Sequence, residues 1–272
     1  MPKLGIIAGS GRLPELVATA ARGQGRDVFL LALEGSADPA FIANSNLPHA
    51  WVRLGAAGHG FDALKQAAVQ DVVMAGGVKR PSLMELAPDW RAAKFFARVG
   101  LGALGDDGLL TAVVKEFEAE GFKVLGPDDI LSSLLARDGV YGRHAPDDQA
   151  RADIAQGFMA AKNLGALDIG QAVVVQQGLV LGLEAVEGTA ALIARCAALQ
   201  RQGPGGVLVK TAKPGQERRV DLPSIGPDSV AQAHAAGLRG IAVEAGHSLV
   251  LDESALVEAA DRLGLFVIGV GS

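Results

Sequence analysis

One cysteine in 272 residues, Cys196, excludes a disulfide framework, and aromatic residues make up only 4% of the chain. A lone thiol fits a reducing compartment. Its setting, Ala191-Leu192-Ile193-Ala194-Arg195-Cys196-Ala197-Ala198-Leu199, predicts a small buried helix residue rather than a nucleophile. Positive charge is not in excess either. Lys and Arg number 25 against 30 Asp and Glu, for a net charge of −5, so there is no global basic field for sequence-independent nucleic-acid binding. Long apolar runs are missing as well. The longest informative charge-free stretch, Ile169 to Leu183, is 15 residues and is broken by Gln176-Gln177-Gly178, whereas a membrane span needs ~20 apolar residues. The apolar run at the N-terminus turns at once into glycine and is too short for a signal peptide. These features predict a soluble, cytoplasmic protein. The five histidines, His49, His59, His144, His234 and His247, have neither H-x-x-x-H nor H-E-x-x-H spacing, which argues against a zinc site. A G-x-S-x-G elbow is also absent.

What is abundant is aliphatic residues and glycine. Apolar residues are 49% of the chain and glycines number 36, where the usual ~7% would give about 19. That much apolar surface offsets ordering entropy and excludes disorder, and the glycines follow no collagen-like period. The expectation is an aliphatic core with many turns or close backbone approaches.

The first half alternates short apolar runs with helical patterns. Leu4–Ala8, Val28–Leu33, Trp51–Leu54, Val72–Ala75 and Phe122–Leu125 read as strands, and Leu13–Gly23, Phe61–Ala68, Pro88–Arg98 and Asp106–Glu120 as helices. This order argues for βαβ units and a mainly parallel sheet. After a polar, turn-rich stretch the pattern changes. A hairpin about Gln177-Gly178, with strands Ala172–Gln176 and Leu179–Ala185, is followed by further alternating helices and strands. The predicted fold is α/β with two α/β domains and a ligand cleft between them. A Rossmann-like domain over residues 1–130 would bind nucleotide or phosphate. Residues 131–149 would form a linker, and residues 150–272 a catalytic domain with a mixed sheet.

Several polar clusters could carry chemistry. Gly9-Ser10-Gly11 sits between the first strand and a helix that opens at Leu13-Pro14. A glycine turn there lets backbone amides and the helix dipole approach a phosphate. The dinucleotide fingerprint G-x-G-x-x-G is incomplete, because Pro14 stands at its third glycine, and a plain strand-to-helix turn would look the same. Gly76 and Gly77, with Lys79 and Arg80 after them, follow the strand Val72–Ala75 in the same way. Two glycine turns at strand carboxyl ends could face one crevice, with the two cations as phosphate contacts; a solvated pair before a proline is the plain alternative. Asp106 and Asp107, flanked by glycines, suit a helix cap or a Mg²⁺ ligand. Gln171, Glu187 and Thr189 flank the hairpin, as cleft contacts or, for Thr189 and Glu187, as helix-capping groups. The densest polar constellation, Val209 to Gly226, contains Lys213, Gln216 and Asp221 and has no regular periodicity; it reads as a solvated loop or an active-site loop. The cations near Asp221 would keep it ionised, able to ligate a metal or orient a water.

Together these strings resemble a known family. Leu4-Gly5-Ile6-Ile7-Ala8-Gly9-Ser10-Gly11-Arg12-Leu13-Pro14, Gly105-Asp106-Asp107 and Leu167-Asp168-Ile169-Gly170-Gln171 are part of the likeness. So are Glu184-Ala185-Val186-Glu187-Gly188-Thr189, Lys213-Pro214-Gly215-Gln216 and Arg219-Val220-Asp221-Leu222-Pro223-Ser224-Ile225-Gly226. The chain is similar along nearly its whole length to the UDP-2,3-diacylglucosamine pyrophosphatases of the LpxI type. Ala190 stands where members often carry aspartate. The resemblance implies two domains that clamp a nucleotide-linked glycolipid and hydrolyse its pyrophosphate with Mg²⁺, yielding UMP and lipid X. The family's essential aspartate falls on Asp221. Asp221 and Lys213 are then the expected catalytic residues, with Asp221, Asp106, Asp107 and Glu187 as metal ligands. Gly9, Ser10, Gly11, Gly76, Gly77, Lys79, Arg80, Gln171, Thr189 and Gln216 would bind substrate. Transient contact with the inner-membrane surface and a homodimer are further expectations. The rival readings are a nucleotide-sugar oxidoreductase and a non-enzymatic carrier of a nucleotide-linked glycolipid.

Overall fold

β1 (Leu4–Ala8) and β2 (Val28–Leu33) are buried at every position, as strands covered on both faces of a parallel sheet must be. They pair in parallel with β3 (His49–Val52), β4 (Asp71–Ala75) and β5 (Lys123–Leu125) in the order β3-β2-β1-β4-β5. The computed structural model describes residues 1–78, 88–99 and 106–271. Between and after the strands run α1 (Leu13–Gly23), α2 (Pro39–Asn44), α3 (Ala57–Gln66), α4 (Trp90–Val99), α5 (Asp106–Ala119) and α6 (Pro127–Ile130). Val17, Ala21, Ile42 and Ile130, from α1, α2 and α6, pack with Leu4, Ile6 and Leu30. Phe61, Leu64 and Val114, from α3 and α5, pack with Ile7, Phe29 and Leu31 on the opposite face. In a chain so poor in aromatics, four of nine phenylalanines, Phe29, Phe61, Phe117 and Phe122, gather here. The rings of Phe61 and Phe117 meet edge-on at 4.9 Å, a favoured aromatic geometry. Pro14 lies in the first turn of α1, where its missing amide leaves no helical bond unmade.

The chain divides into two units. The first is Met1–Ser132 together with Glu217–Asp221; the second is Ser133–Gln216 together with Leu222–Ser272. The second unit contains β6 (Gly139–Tyr141), α7 (Asp148–Ala166), β7 (Ala172–Gln176), β8 (Leu179–Leu183) and α8 (Gly188–Cys196). After these come β9 (Val207–Lys210), β10 (Ser224–Ile225), α9 (Pro227–Ala235), β11 (Gly240–Glu244), β12 (Leu249–Val250), α10 (Glu253–Leu263) and β13 (Phe266–Val270). Its main sheet has the order β6-β13-β11-β9-β7-β8. β9, β11 and β13 are parallel, while β6, β7 and β8 run antiparallel to their neighbours. One face is covered by Ala150, Ile154, Ala161 and Leu164 of α7, the other by Leu192, Val230 and Leu256 of α8, α9 and α10. β7 and β8 form the expected hairpin. Gln177 and Gly178 both have positive φ, 52° and 75°, as a two-residue type I′ turn requires. Buried Asp153 accepts both turn amides, at 3.0 and 2.7 Å.

The α/β class and the split between a parallel and a mixed sheet are as expected. Where the structure departs from the sequence reading, the elements are short. The third strand is His49–Val52, two residues earlier than the apolar run suggests, because its register is set by pairing Leu30 with His49. Within 131–149, read from sequence as a linker, Ser132–Leu134 form a 3₁₀ turn and β6 joins the second sheet beside β13. The glycines at 139 and 142 look like turn signals, and the strand between them exists through pairing with distant residues. The two-residue β10 likewise depends on β12. Among the described residues no helix is long and apolar enough to cross a membrane.

Cys196, the last residue of α8, is fully buried in the core. Burial pushes its thiol pKa up, against a smaller opposing effect of Arg195. The thiolate is the reactive form, so native protein is expected to resist a thiol reagent at neutral pH, and denatured protein to react with one equivalent per chain. Rapid labelling of the native state would contradict this packing.

Candidate active site

In the first unit the order β3-β2-β1-β4-β5 reverses direction between β1 and β4. Ligands of open α/β sheets gather outside strand carboxyl ends at such a reversal, and both glycine turns lie there. They are bonded to each other. Gly9 N–H donates to Ala75 O at 2.8 Å, Ser10 N–H to Gly77 O at 2.7 Å, and Gly77 N–H to Ser10 O at 3.1 Å. Ser10 Oγ also donates to Gly77 O, at 3.0 Å. A Cβ on Gly9 would stand 2.5 Å from Gly77 O, and one on Gly76, whose φ is +91°, would stand 2.3 Å from Ser10 O. The approach of the two turns therefore requires these glycines, and the amides of Gly9, Ser10 and Gly77 already have acceptors. Ser10, Gly11 and Gly77 are exposed at this edge.

Asp221 ends the segment that belongs to the first unit. Arg219 grips Glu217 through two bonds, Nε to Oε1 at 2.8 Å and a terminal nitrogen to Oε2 at 2.7 Å, and its other terminal nitrogen reaches Glu118 of α5 at 2.7 Å. Such bidentate, charge-assisted pairs fix geometry as well as energy. The Arg219 bond holds the Glu217 carboxyl below its ordinary range, and Glu217, with Glu118, raises the Arg219 pKa. Val220 packs on the Phe61 cluster. The amides of Val220 and Asp221 both donate to Glu217 O, at 3.1 and 3.2 Å. Asp221, half-buried, thus sits on a turn braced by an ion pair, two backbone bonds and an apolar anchor.

In the second unit, buried polar groups concentrate where β9 and β11 end and β7 begins. Lys213 is 6% exposed, and its Nζ donates to Asp168 Oδ1 at 2.8 Å. Gln216 Oε1 accepts the Lys213 amide at 3.0 Å. Thr211 N–H donates to Gln171 O at 3.0 Å. Gln171 N–H in turn donates to Glu184 Oε2 at 3.0 Å, and the Thr189 hydroxyl donates to Glu184 Oε1 at 2.5 Å. Burying charge costs free energy unless it is paired and hydrogen-bonded, which this network achieves. Lys213, Gln216, Gln171 and Thr189 therefore lie along one polar edge, bonded to its backbone and carboxylates. The side chains of Gln171 and Thr211 also bring buried oxygens, Oε1 and Oγ1, that have no hydrogen-bond partner among the described residues.

Glu187 is used otherwise. Its Oε2 accepts Ala185 N–H at 3.1 Å and its Oε1 pairs with Arg195 at 3.0 Å. Its own backbone amide foremost, with a smaller effect of Arg195, holds its carboxyl below the ordinary range. Lys79 and Arg80, and the side chains of Asp106 and Asp107, lie outside the described residues. Among the described residues no three Asp, Glu, His or Cys converge as a ready metal cage. Mg²⁺, however, dispenses with a protein cage, taking one or two carboxylates with water and substrate phosphates. Asp221 as a single carboxylate donor fits an ion that enters with a pyrophosphate.

Residues 3–134 match the LpxI N-terminal domain and residues 137–268 the LpxI C-terminal domain. The chain is also 42% identical to the UDP-2,3-diacylglucosamine pyrophosphatase LpxI of Caulobacter vibrioides, over 99% of this chain and 98% of that protein. The chain belongs to the LpxI family. The LpxI strings read from the sequence fall on the polar groups just described: Leu167–Gln171 carries the partner of Lys213, Glu184–Thr189 the carboxylate beneath Gln171, and Arg219–Gly226 the braced turn before Asp221. Lys162 and Glu244 pair with each other and bond to the Ala212 peptide beside Lys213. Both belong to the same polar edge, but each lies alone in an ordinary helix or strand pattern and no local motif marks it. Their only sequence signal is a charged residue at the end of an otherwise apolar strand, Glu244.

Two outcomes follow from this geometry. Gly76→Ala should destabilise the first unit by about 1–3 kcal/mol, the usual scale for a strained backbone position, seen as a lowered melting temperature. Glu217→Gln should also destabilise the protein at pH 7. Because the folded pKa of Glu217 is depressed, its contribution is present above the ordinary glutamate value of about 4.3 and is lost as pH falls through the folded value. Denaturation curves of wild type and variant should therefore converge in acid; a gap independent of pH would show that the Arg219 pair is not its source.

Proposed function

We propose that the protein hydrolyses the pyrophosphate bond of UDP-2,3-diacylglucosamine to UMP and 2,3-diacylglucosamine 1-phosphate, the lipid X of lipid A biosynthesis, with Mg²⁺ as activator. The observation that carries this reading is the end-to-end likeness to the Caulobacter pyrophosphatase, at 42% identity. The buried, paired Lys213 and the braced turn at Asp221 support it. A pyrophosphate diester is doubly anionic and repels an incoming oxygen nucleophile, so its hydrolysis needs neutralised oxygens and a water placed in line. In the reaction the water oxygen bonds to one phosphorus and the bond from that phosphorus to the bridging oxygen breaks. The bridging oxygen leaves with the other phosphate, and the water's proton passes to base.

The residues divide the work as follows. The Lys213 ammonium contacts phosphate oxygens, exchanging part of its bond to Asp168 for the substrate. Gln216, Gln171 and Thr189 hold the surrounding backbone and line the polar edge. Asp221 orients the attacking water and would be the carboxylate that holds Mg²⁺; Asp106 and Asp107 are further candidate ligands. When bound, Mg²⁺ supplies charge neutralisation on the pyrophosphate. Ser10, Gly11 and Gly77 offer an exposed edge at the sheet reversal for the uridine or phosphate part, with Gly9 and Gly76 shaping it and Lys79 and Arg80 adding cationic contacts. On this reading the protein works in the cytoplasm and meets its diacylated substrate by transient contact with the inner-membrane surface. A homodimer is the oligomeric state we propose, cyclic dimers being the commonest closed assembly.

The test is release of UMP from UDP-2,3-diacylglucosamine with Mg²⁺, abolished by EDTA and restored by Mg²⁺. Asp221→Ala should lower kcat by ~100-fold or more with little change in KM or melting temperature. A folded wild-type protein that binds the substrate without releasing UMP would be a carrier, and the hydrolase reading would fall.

A further inference from the structure

We propose that Lys162 and Glu244 form a positioning pair that aims Lys213, and that the last turn of α7 is the socket in which Lys213 is held. The proposal rests on the reading that Lys213 meets substrate phosphate. Glu244 is the last residue of β11 and is 3% exposed. Both of its oxygens accept from Lys162 Nζ at 2.7 Å, and Oε2 also accepts the Ala212 amide at 2.9 Å. Lys162 Nζ donates a further bond to the Ala212 carbonyl at 3.0 Å. That carbonyl shares its peptide plane with the Lys213 amide, which is bound by Gln216. The plane that carries Lys213 is thus held at both polar atoms by side chains, and the plane before it is held at its amide by Glu244. No strand ladder fixes the backbone here, because β9 ends at Lys210.

The same helix shapes the rest of the socket. Gly165 lies three residues after Lys162 and so on the same face of α7. A Cβ on it would stand 3.1 Å from Lys213 Cα and 3.2 Å from Lys213 Cβ and Cγ, so the lysine stem lies against bare helix backbone. Asp168, just past the helix, adopts a left-handed φ of 53°, which is uncommon for a residue other than glycine, and from there its carboxylate meets Lys213 Nζ. Lys162 therefore holds the peptide of Lys213, Gly165 clears its stem and Asp168 receives its charge. Stability alone gives little reason to bury Glu244 against Lys162, since buried ion pairs often stabilise no better than apolar side chains of the same volume. Orientation does give a reason, because small displacements of a catalytic charge are costly to rate.

The experiment compares wild type, Lys162→Met, the double variant Lys162→Met/Glu244→Gln and Lys213→Ala for melting temperature and for kcat and KM of UMP release. The Glu244→Gln change keeps an acceptor oxygen for the Ala212 amide, and Lys162 is a partly exposed helix residue, so Lys162→Met covers the case in which the double variant does not fold. The expected result is a cooperatively folded Lys162→Met protein whose kcat falls ~10- to 100-fold with KM nearly unchanged, and Lys213→Ala at least as impaired. Wild-type kcat in folded Lys162→Met, with Lys213→Ala inactive, would overturn the positioning pair and leave the role of Lys213 standing. Normal turnover in Lys213→Ala would overturn both. No UMP from wild type would remove the hydrolase reading beneath them.

Discussion

A lysine ammonium withdrawn from water has to be met by a carboxylate and carried on a backbone that cannot move away from it. That requirement organises the polar edge of the second unit. Lys213 takes its counter-charge from Asp168, and the peptide before it is held by Lys162 and Glu244. The bonds that run on through Gln171, Glu184 and Thr189 secure the neighbouring loop. The apolar layers on the two faces of the sheet give this network its rigidity. α7 packs Ile154, Ala161 and Leu164 against β7 and β9, so that its last turn arrives at Lys213 already fixed.

The first unit meets a different constraint. Two strand-ending turns approach each other closely enough to exchange backbone hydrogen bonds, and the glycines at 9 and 76 are the condition for that approach. Part of the chain's glycine surplus is thus explained by backbone packing against backbone. Asp221 belongs to this unit through a short segment that returns to it late in the sequence, anchored by Arg219 and Val220. Asp221 and Lys213 each stand on an irregular backbone whose bracing bonds reach a regular element, Glu118 of α5 for the one and Lys162 of α7 for the other.

Long periodic segments were legible in the sequence. β1, β2, β7 and α1 lie where the apolar pattern puts them, because a strand buried on both faces or an amphipathic helix carries its own signal. Short elements were not. β6 and β10 have three and two residues and exist through partners far along the chain, at β13 and β12. The site divides the same way. Lys213, Gln216, Gln171, Thr189 and Asp221 stand in irregular polar strings that ordinary secondary structure does not need, and are candidates on that ground. Glu187 stands in such a string too, and its carboxylate binds Arg195 and its own turn. Lys162 and Glu244 stand in an ordinary helix and strand, and the Ala212 peptide that both bind carries no side-chain signal.

The sequence by itself determined the α/β class, the two sheets, the buried cysteine and the family, because these depend on periodicity, composition and long local strings. Only the tertiary structure decided which polar residues meet and what the glycines at 9, 76 and 165 are for. Hydrogen bonds and close contacts join residues 162, 212 and 244, or 9 and 77, through geometry that local sequence does not encode, and a carboxylate's role is set by whichever donor the fold brings within hydrogen-bonding reach of it.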